Sequence, residues 1–303
     1  MSNQLTVRNT LLVSTSGTPG ADNIITTDNS VLINPKAKSV DYKDMGNGKL
    51  GNSKTSVNND YVTADFSVDV NARCSGSAGT APAYAELFKL SGLEEVVDSD
   101  NNTVTYKQAT SFVQGTALAY LDGSKREVAG IAGTFTFGGA VGEIAKFSFS
   151  LKGFTTLEET TEDNPAVTLD ANSNLLIKSV TALTVGGGEL DMKDFTFDIG
   201  NDIQETYAAN RKEFYINDLK PTIKVSAIKT KGNQDHWSDL NANTKKEVIV
   251  VLGDVAGNII TLTASYCQPS DVSESDDSGK VVYENNWLCE NSAGGDNFTI
   301  VYT

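Results

Sequence analysis

Alternation with a period of two residues is the feature that most constrains this chain. In residues 61–70, YVTADFSVDV, the positions Val62, Ala64, Phe66, Val68 and Val70 fall on one face, and Thr63, Asp65, Ser67 and Asp69 on the other. Successive side chains of a strand point to opposite sides, so this segment reads as a half-buried strand with one wet, acidic face. Residues 145–154, AKFSFSLKGF, repeat the pattern with Ala145, Phe147, Phe149 and Leu151 inward. Residues 222–228, TIKVSAI, do the same and leave Thr222, Lys224 and Ser226 on the polar side. Segments 259–266 and 297–303 alternate likewise.

Helical signals are few and short. TAPAYAELFKLSG (80–92) has Pro82 in a first turn and Gly92 as a stop, which predicts a helix over 82–90. DHWSDLNANT (235–244) opens on Asp235 as an N-cap and has Trp237 and Leu240 three apart. The stretches 41–60, 155–165 and 268–279 are polar and read as loops. The expectation is a mainly β chain.

With 303 residues the chain has room for two ordinary domains or one large β domain. Its 26 glycines suit short strands and turns. The net charge of −15 disfavours tight binding to a phosphate backbone, which needs a clustered Lys/Arg face. No run of apolar residues is long enough for a membrane helix, and the first residues lack a signal-peptide pattern. The three cysteines, Cys74, Cys267 and Cys289, lack metal-ligand spacing and are expected as reduced thiols.

No motif carries a catalytic chemistry. GNGKLG (46–51) has the spacing of a dinucleotide loop, but a loop and a strand follow it where a helix is required. Asp98, Asp100 and Asn102 begin like a calcium loop, yet Thr103 replaces the glycine and Ala109 the bidentate glutamate. His236 is the only histidine and is expected to pack in the core. A pair of carboxylates could serve a hydrolase, but the acidic residues are scattered over loops and strand faces. The sequons at Asn101 and Asn297 mean nothing without secretion. Neither enzyme nor cofactor is expected.

The order of elements repeats. Asp44-Met45-Gly46-Asn47 is echoed by Asp198-Ile199-Gly200-Asn201, an offset of 154. Each is followed by a polar loop, an alternating strand (62–70, 221–228), a short helix and a Gly-turn hairpin (121–137, 248–266). A closing strand follows, at 145–152 and at 297–302. The halves differ by polar inserts at 94–111 and 267–296. This predicts two tandem copies of one β-sandwich or barrel fold, residues 1–155 and 174–303, joined by an acidic linker, 156–173.

Several blocks resemble tail tube proteins of long-tailed bacteriophages. They are LTVRNTLLVSTSGTPGAD, VTADFSVDVNARCSGSAGTAPAYAELFKLSGL, LDGSKREVAGIAGTFTFGGAVGEIAKFSFSLKGF and FDIGNDIQETYAANRKEFYINDLKPTIKVS, in that order across nearly the whole chain. The resemblance implies a structural virion protein, assembled in the host cytoplasm, whose rings stack into a tube that conducts the genome. It implies homotrimer rings with pseudo-sixfold symmetry for a duplicated chain. The implied partners are other copies of itself, tail terminator and tail tip proteins, and a tape measure protein inside the tube. DNA would pass without specific binding, and no membrane is involved. On this reading Thr63, Asp65, Ser67, Asp69, Thr222, Lys224 and Ser226 face the lumen. Gly46, Asn47, Gly48, Lys49, Leu50, Gly51, Asn201 and Asp202 belong to loops between rings. A β-sandwich adhesin or carbohydrate-binding module is the alternative.

Overall fold

The structure, a computed structural model, describes residues 4–43, 45–46, 50–51, 53–168, 170–178, 182–230 and 236–303. Strands dominate it. The first half holds β1 (Asn9–Ser14), β2 (Ile24–Ile25), β3 (Asn34–Lys43) and β4 (Ser53–Asn71). Helix α1 (Ala85–Leu90) follows, then β5 (Leu93–Asp98), β6 (Thr103–Gln108), β7 (Gly115–Leu121), β8 (Ser124–Ala140) and β9 (Lys146–Phe154). After β10 (Thr160–Thr161) come β11 (Ala182–Val185), β12 (Gly188–Glu189), β13 (Asp191–Asp198), β14 (Asn201–Ala208), β15 (Arg211–Leu219) and β16 (Thr222–Ile228). Helix α2 (His236–Ala242) leads to β17 (Lys246–Leu252), β18 (Ile260–Asp277), β19 (Lys280–Cys289) and β20 (Thr299–Tyr302).

Three segments expected as loops are strands. The described residues of 41–60 form the outer part of the β3–β4 hairpin, the β14–β15 ribbon covers 201–219, and most of 268–279 is the distal half of β18. The insert 94–111 is mostly the β5–β6 hairpin. The outer β3–β4 hairpin and the distal half of β18 bury no full face, so the alternation that marks a half-buried strand is missing from their sequences. β6 and β15 do alternate, and they bury Val104 and Tyr106, and Phe214 and Ile216.

Antiparallel pairing runs in the order β1–β7–β8–β9–β4–β3 in the first half. In the second it runs β11–β17–β18–β19–β16–β13. A bulge interrupts β8 against β9 between Ala129 and Ala132, and β18 against β19 between Pro269 and Asp271. By pairing, the counterpart of β9 is β19, whereas spacing in the sequence pointed to 297–302. The halves are joined where β8 pairs with β13, from Thr136 opposite Asp198 to Ala140 opposite Asp194. They meet again where β6 pairs with β20.

One aromatic core spans both halves. Helix α1 is too short to hold by itself, and it is fixed by burying Ala85, Leu87, Phe88 and Leu90. It begins at Ala85, three residues later than Pro82 suggested. The Phe88 ring meets Tyr106 at 4.7 Å, Phe147 at 5.1 Å and Phe135 at 5.4 Å between centroids. From the second half, Phe197 lies 6.0 Å from Phe135, Phe195 lies 5.3 Å from Phe137, and the Tyr302 hydroxyl is 3.1 Å from that of Tyr84. Burial pushes the Tyr84 and Tyr302 phenols far up, so both stay neutral. His236 is buried edge-on to Tyr283 and Trp287, as packing predicted, while Trp237 turns outward and donates to Glu274. Asp235 lies outside the described residues.

Cys74, Cys267 and Cys289 are buried free thiols, and burial pushes Cys74 up to about 12. The described residues of segment 156–173, expected as a linker, contact the first half. β10 pairs with β8, Glu162 bridges Lys125 at 2.7 Å, and the Asp170 carbonyl accepts from Arg73.

At the β8–β13 junction Gly138 permits a very close approach. A Cβ there would meet the Phe195 carbonyl oxygen at 2.2 Å and Thr196 Cα at 2.9 Å, both fixed backbone. Gly138→Ala is therefore expected to destabilise the chain by more than about 2 kcal/mol in denaturant titration. Gly20→Ala, with only a side-chain atom at 3.9 Å, should be near neutral.

Candidate functional face and projecting hairpins

Strands β4, β9, β8, β13, β16 and β19 lie side by side, and their register sorts every side chain to one of two faces. One row across the sheet is Val70, Phe147, Phe137, Phe197, Ile223 and Trp287, all of them buried. The neighbouring row is Asn71, Lys146, Gly138, Thr196, Lys224 and Asn286 on the outer face. The row beyond it joins Asp69, Ser148, Thr136, Asp198 and Thr222. Thus Thr63, Asp65, Ser67 and Asp69 from β4 share one face of one sheet with Thr222, Lys224 and Ser226 from β16. The β8–β13 junction brings them together.

That face is mixed in charge. Asp65, Asp69, Asp194, Asp198 and Glu284 alternate with Lys36, Lys146, Lys152 and Lys224. Lys36 bridges Asp65 at 2.6 Å, and Lys146 bridges Asp28 at 2.5 Å. The hydrogen bond from Lys146 holds the Asp28 carboxyl below the usual carboxylate range. Sequence alternation identified the β4 and β16 positions, and by the same alternation in 145–154 it put Lys146 and Lys152 on the polar side of β9, but it missed Asp194, Asp198 and Glu284. The face of those three is fixed only once their strands are paired.

Two hairpins project from one end of these strands. Past Ala37 and Val62 the β3–β4 hairpin breaks register and runs out as a bare pair from Lys38 opposite Asn58 to Lys43 opposite Ser53. Val40, Tyr42 and Val57 are exposed along it, and Met45 and Leu50 at its tip are 81% and 102% exposed. A lone two-stranded hairpin is marginal in water, and clustered exposed apolar residues mark a contact surface. Gly46, Leu50 and Gly51 lie at this tip; Asn47, Gly48 and Lys49 lie outside the described residues.

The β14–β15 ribbon is anchored. Phe214 is buried 4.7 Å from the Phe154 ring, and Ile216 is buried beside it on the same side of β15. Tyr61 donates to Glu205 at 2.5 Å and packs edge-on to Tyr207 at 4.5 Å. Burial, and then the Glu205 carboxylate, push the Tyr61 phenol up to about 12. Asn201 was expected in a free loop, but its amide donates to the carbonyls of Ser91 at 2.7 Å and Gly133 at 2.8 Å. It is a foot of the ribbon. Asp202 remains exposed beside it and accepts from Gln204.

Among the described residues the element that follows GNGKLG is the strand β4 and not a helix. Asp98 accepts from the backbone N–H groups of Asp100 and Asn101 and closes a turn. Among the described residues no three His, Cys, Asp or Glu side chains gather as metal ligands, and no helix is long and apolar enough to cross a membrane.

The family model described as phage tail tube protein matches residues 9–287. The chain belongs to that family. Among curated proteins none matches it. As a tail tube protein it is a structural component of the virion tail, from a family that assembles with itself into a tube.

The Phe214 anchor makes a local prediction. Phe214→Ala should release the ribbon while leaving the sheet intact, seen as protease cleavage within 203–216 at least about tenfold faster than in the parent. Unchanged cleavage would show that the ribbon is held elsewhere.

Proposed function

We propose that this tail tube protein forms closed rings whose inner wall is the polar sheet face, and that the rings stack into the conduit for the genome. The observation that carries this reading is the continuity of one wet face across both halves, backed by one apolar core. On this reading the chain is a tandem duplication, with residues 1–155 and 174–303 as the two tube domains and 156–173 between them. The repeated pairing order and the matching bulges support the duplication. Three chains then supply six walls, a homotrimer ring with pseudo-sixfold symmetry.

Thr63, Asp65, Ser67, Asp69, Thr222, Lys224 and Ser226 face the lumen in this proposal. Interspersed lysines reduce the wall charge, yet the chain as a whole carries −15. The average field still opposes a duplex that bears a negative charge about every 1.7 Å, so DNA slides past. The β3–β4 hairpin, with Met45 and Leu50 at its tip, makes the contact between rings, with Gly46–Gly51 buried on stacking. Asn201 and Asp202 support the second, shorter hairpin. A tape measure protein inside the tube, a terminator and tip proteins at its ends complete the proposed partners. Electron microscopy of the purified protein tests the reading: rings or tubes support it, and dispersed monomers at high concentration contradict it.

Two variants probe the parts. Replacing residues 43–53 by Asn-Gly closes the hairpin between Tyr42 and Lys54 in a two-residue turn. Subunits should fold normally but lose tube growth, and tubes of normal length would contradict the stacking role. Asp65→Lys with Asp69→Lys breaks only an exposed ion pair, worth under about 1 kcal/mol. Tubes should still form, with genome ejection slowed at least about tenfold by new phosphate contacts. Normal ejection would contradict the lumen assignment.

A further inference from the structure

The junction between the halves has a counterpart that the single chain leaves open. Past its β7 partner, β8 takes up β13 on the freed edge, residues 136–140, while β9 keeps the other side. β18 has the same form: β17 pairs up to Cys267, and beyond it residues 268–277 keep β19 on one side. Among the described residues no strand pairs with the other side of that stretch. β3 stands to β4 as β13 stands to β16, yet among the described residues β3 pairs with β4 alone. Among those residues each chain therefore ends with one unpaired edge of each kind.

We propose that a second copy of this chain joins here, with the distal edge of β18 pairing antiparallel with β3 of the next molecule. The pairing repeats between molecules what β8 and β13 do within one, and it rests on the ring assembly proposed above. The matched bulges set its register. Ala129 pairs with Phe154 three residues before the ladder resumes at Ala132; Gln268 pairs with Leu288 three before it resumes at Asp271. Ser275 thus holds the place of Thr136, four residues beyond the resumption. Phe154 and Leu288 pair in turn with Thr63 and Thr222, whose outer partners are Lys36 and Asp198. Since Thr136 pairs with Asp198, Ser275 meets Lys36 of the next chain.

Charge selects this partner. The β3 edge carries Lys36 and Lys38 behind Pro35, and the β18 edge carries Asp271 and Asp276, while the adjacent Asp277 is bridged by Lys193 of its own chain. Two β3 edges repel, two β18 edges repel, and unlike edges attract, which blocks misassembly while steering ring closure. A head-to-tail contact of this kind is heterologous and closes a ring if the rotation permits. The polar face then runs from one molecule to the next without a break.

The test is a disulfide placed across the predicted pair, Lys36→Cys with Ser275→Cys, in the full chain. Oxidised glutathione accepts the two electrons: its S–S bond is cleaved to two thiols as the new Sγ–Sγ bond forms and both thiol protons leave. Assembled protein should give dimers and higher closed species on a non-reducing denaturing gel. Either single variant, or Lys36→Cys with Ser265→Cys, should give none. On the unmodified protein, amides of 34–38 and 272–277 should exchange at least about tenfold more slowly in tubes than in free subunits. Tubes without the cross-link and without this protection overturn the strand pairing and leave the tube reading standing. Absence of rings and tubes at any concentration overturns that reading and this one with it.

Discussion

The rest of the structure depends on one backbone contact, the antiparallel pairing of β8 with β13. It is possible because Gly138 has no side chain to strike the Phe195 carbonyl. Without that pairing the chain would be two small sheets, each with an edge open to unwanted partners. With it, six strands become one surface, and residues about 150 positions apart in sequence share a face.

Two faces of that surface have separate physical tasks. The inner one sets Phe137 5.3 Å from Phe195, Phe135 6.0 Å from Phe197 and Phe88 6.3 Å from Tyr302, pairs that cross between the halves. Each such aromatic pair adds about 0.5–1.5 kcal/mol beyond burial of its area, so the halves are bound through their cores as well as their edges. The outer face stays wet and mixed in charge, with short ion pairs such as Lys36–Asp65 that contribute little stability. The outer β3–β4 hairpin gains little from its own chain, and on the proposed reading its apolar tip is covered by the neighbouring ring.

The β content and the two-faced strands were legible in the sequence, because burial on one side writes itself as alternation. Val62 to Val70 and Ile223 to Ala227 needed no structure to be assigned a face. The bare hairpins were not legible: Val40 and Tyr42 lie on a strand with no core side, so no period of two appears. The full outer face was hidden for another reason. Asp194, Asp198 and Glu284 reach it through strand register, which depends on pairing between residues far apart in the chain. Asn201 was misread as a loop residue because a carboxamide beside glycine is typical of turns, and only the fold shows its two carbonyl partners.

The central claim is that both polar stripes form a single inner wall in the assembled tube. A reconstruction of that tube at side-chain resolution tests it most directly. The account predicts that Asp65, Asp69, Lys224 and Ser226 all point toward the tube axis from one uninterrupted sheet, with Phe88 on the far side of that sheet from the axis. A tube in which either stripe faces the outer solvent, or in which β8 and β13 separate on assembly, would contradict it.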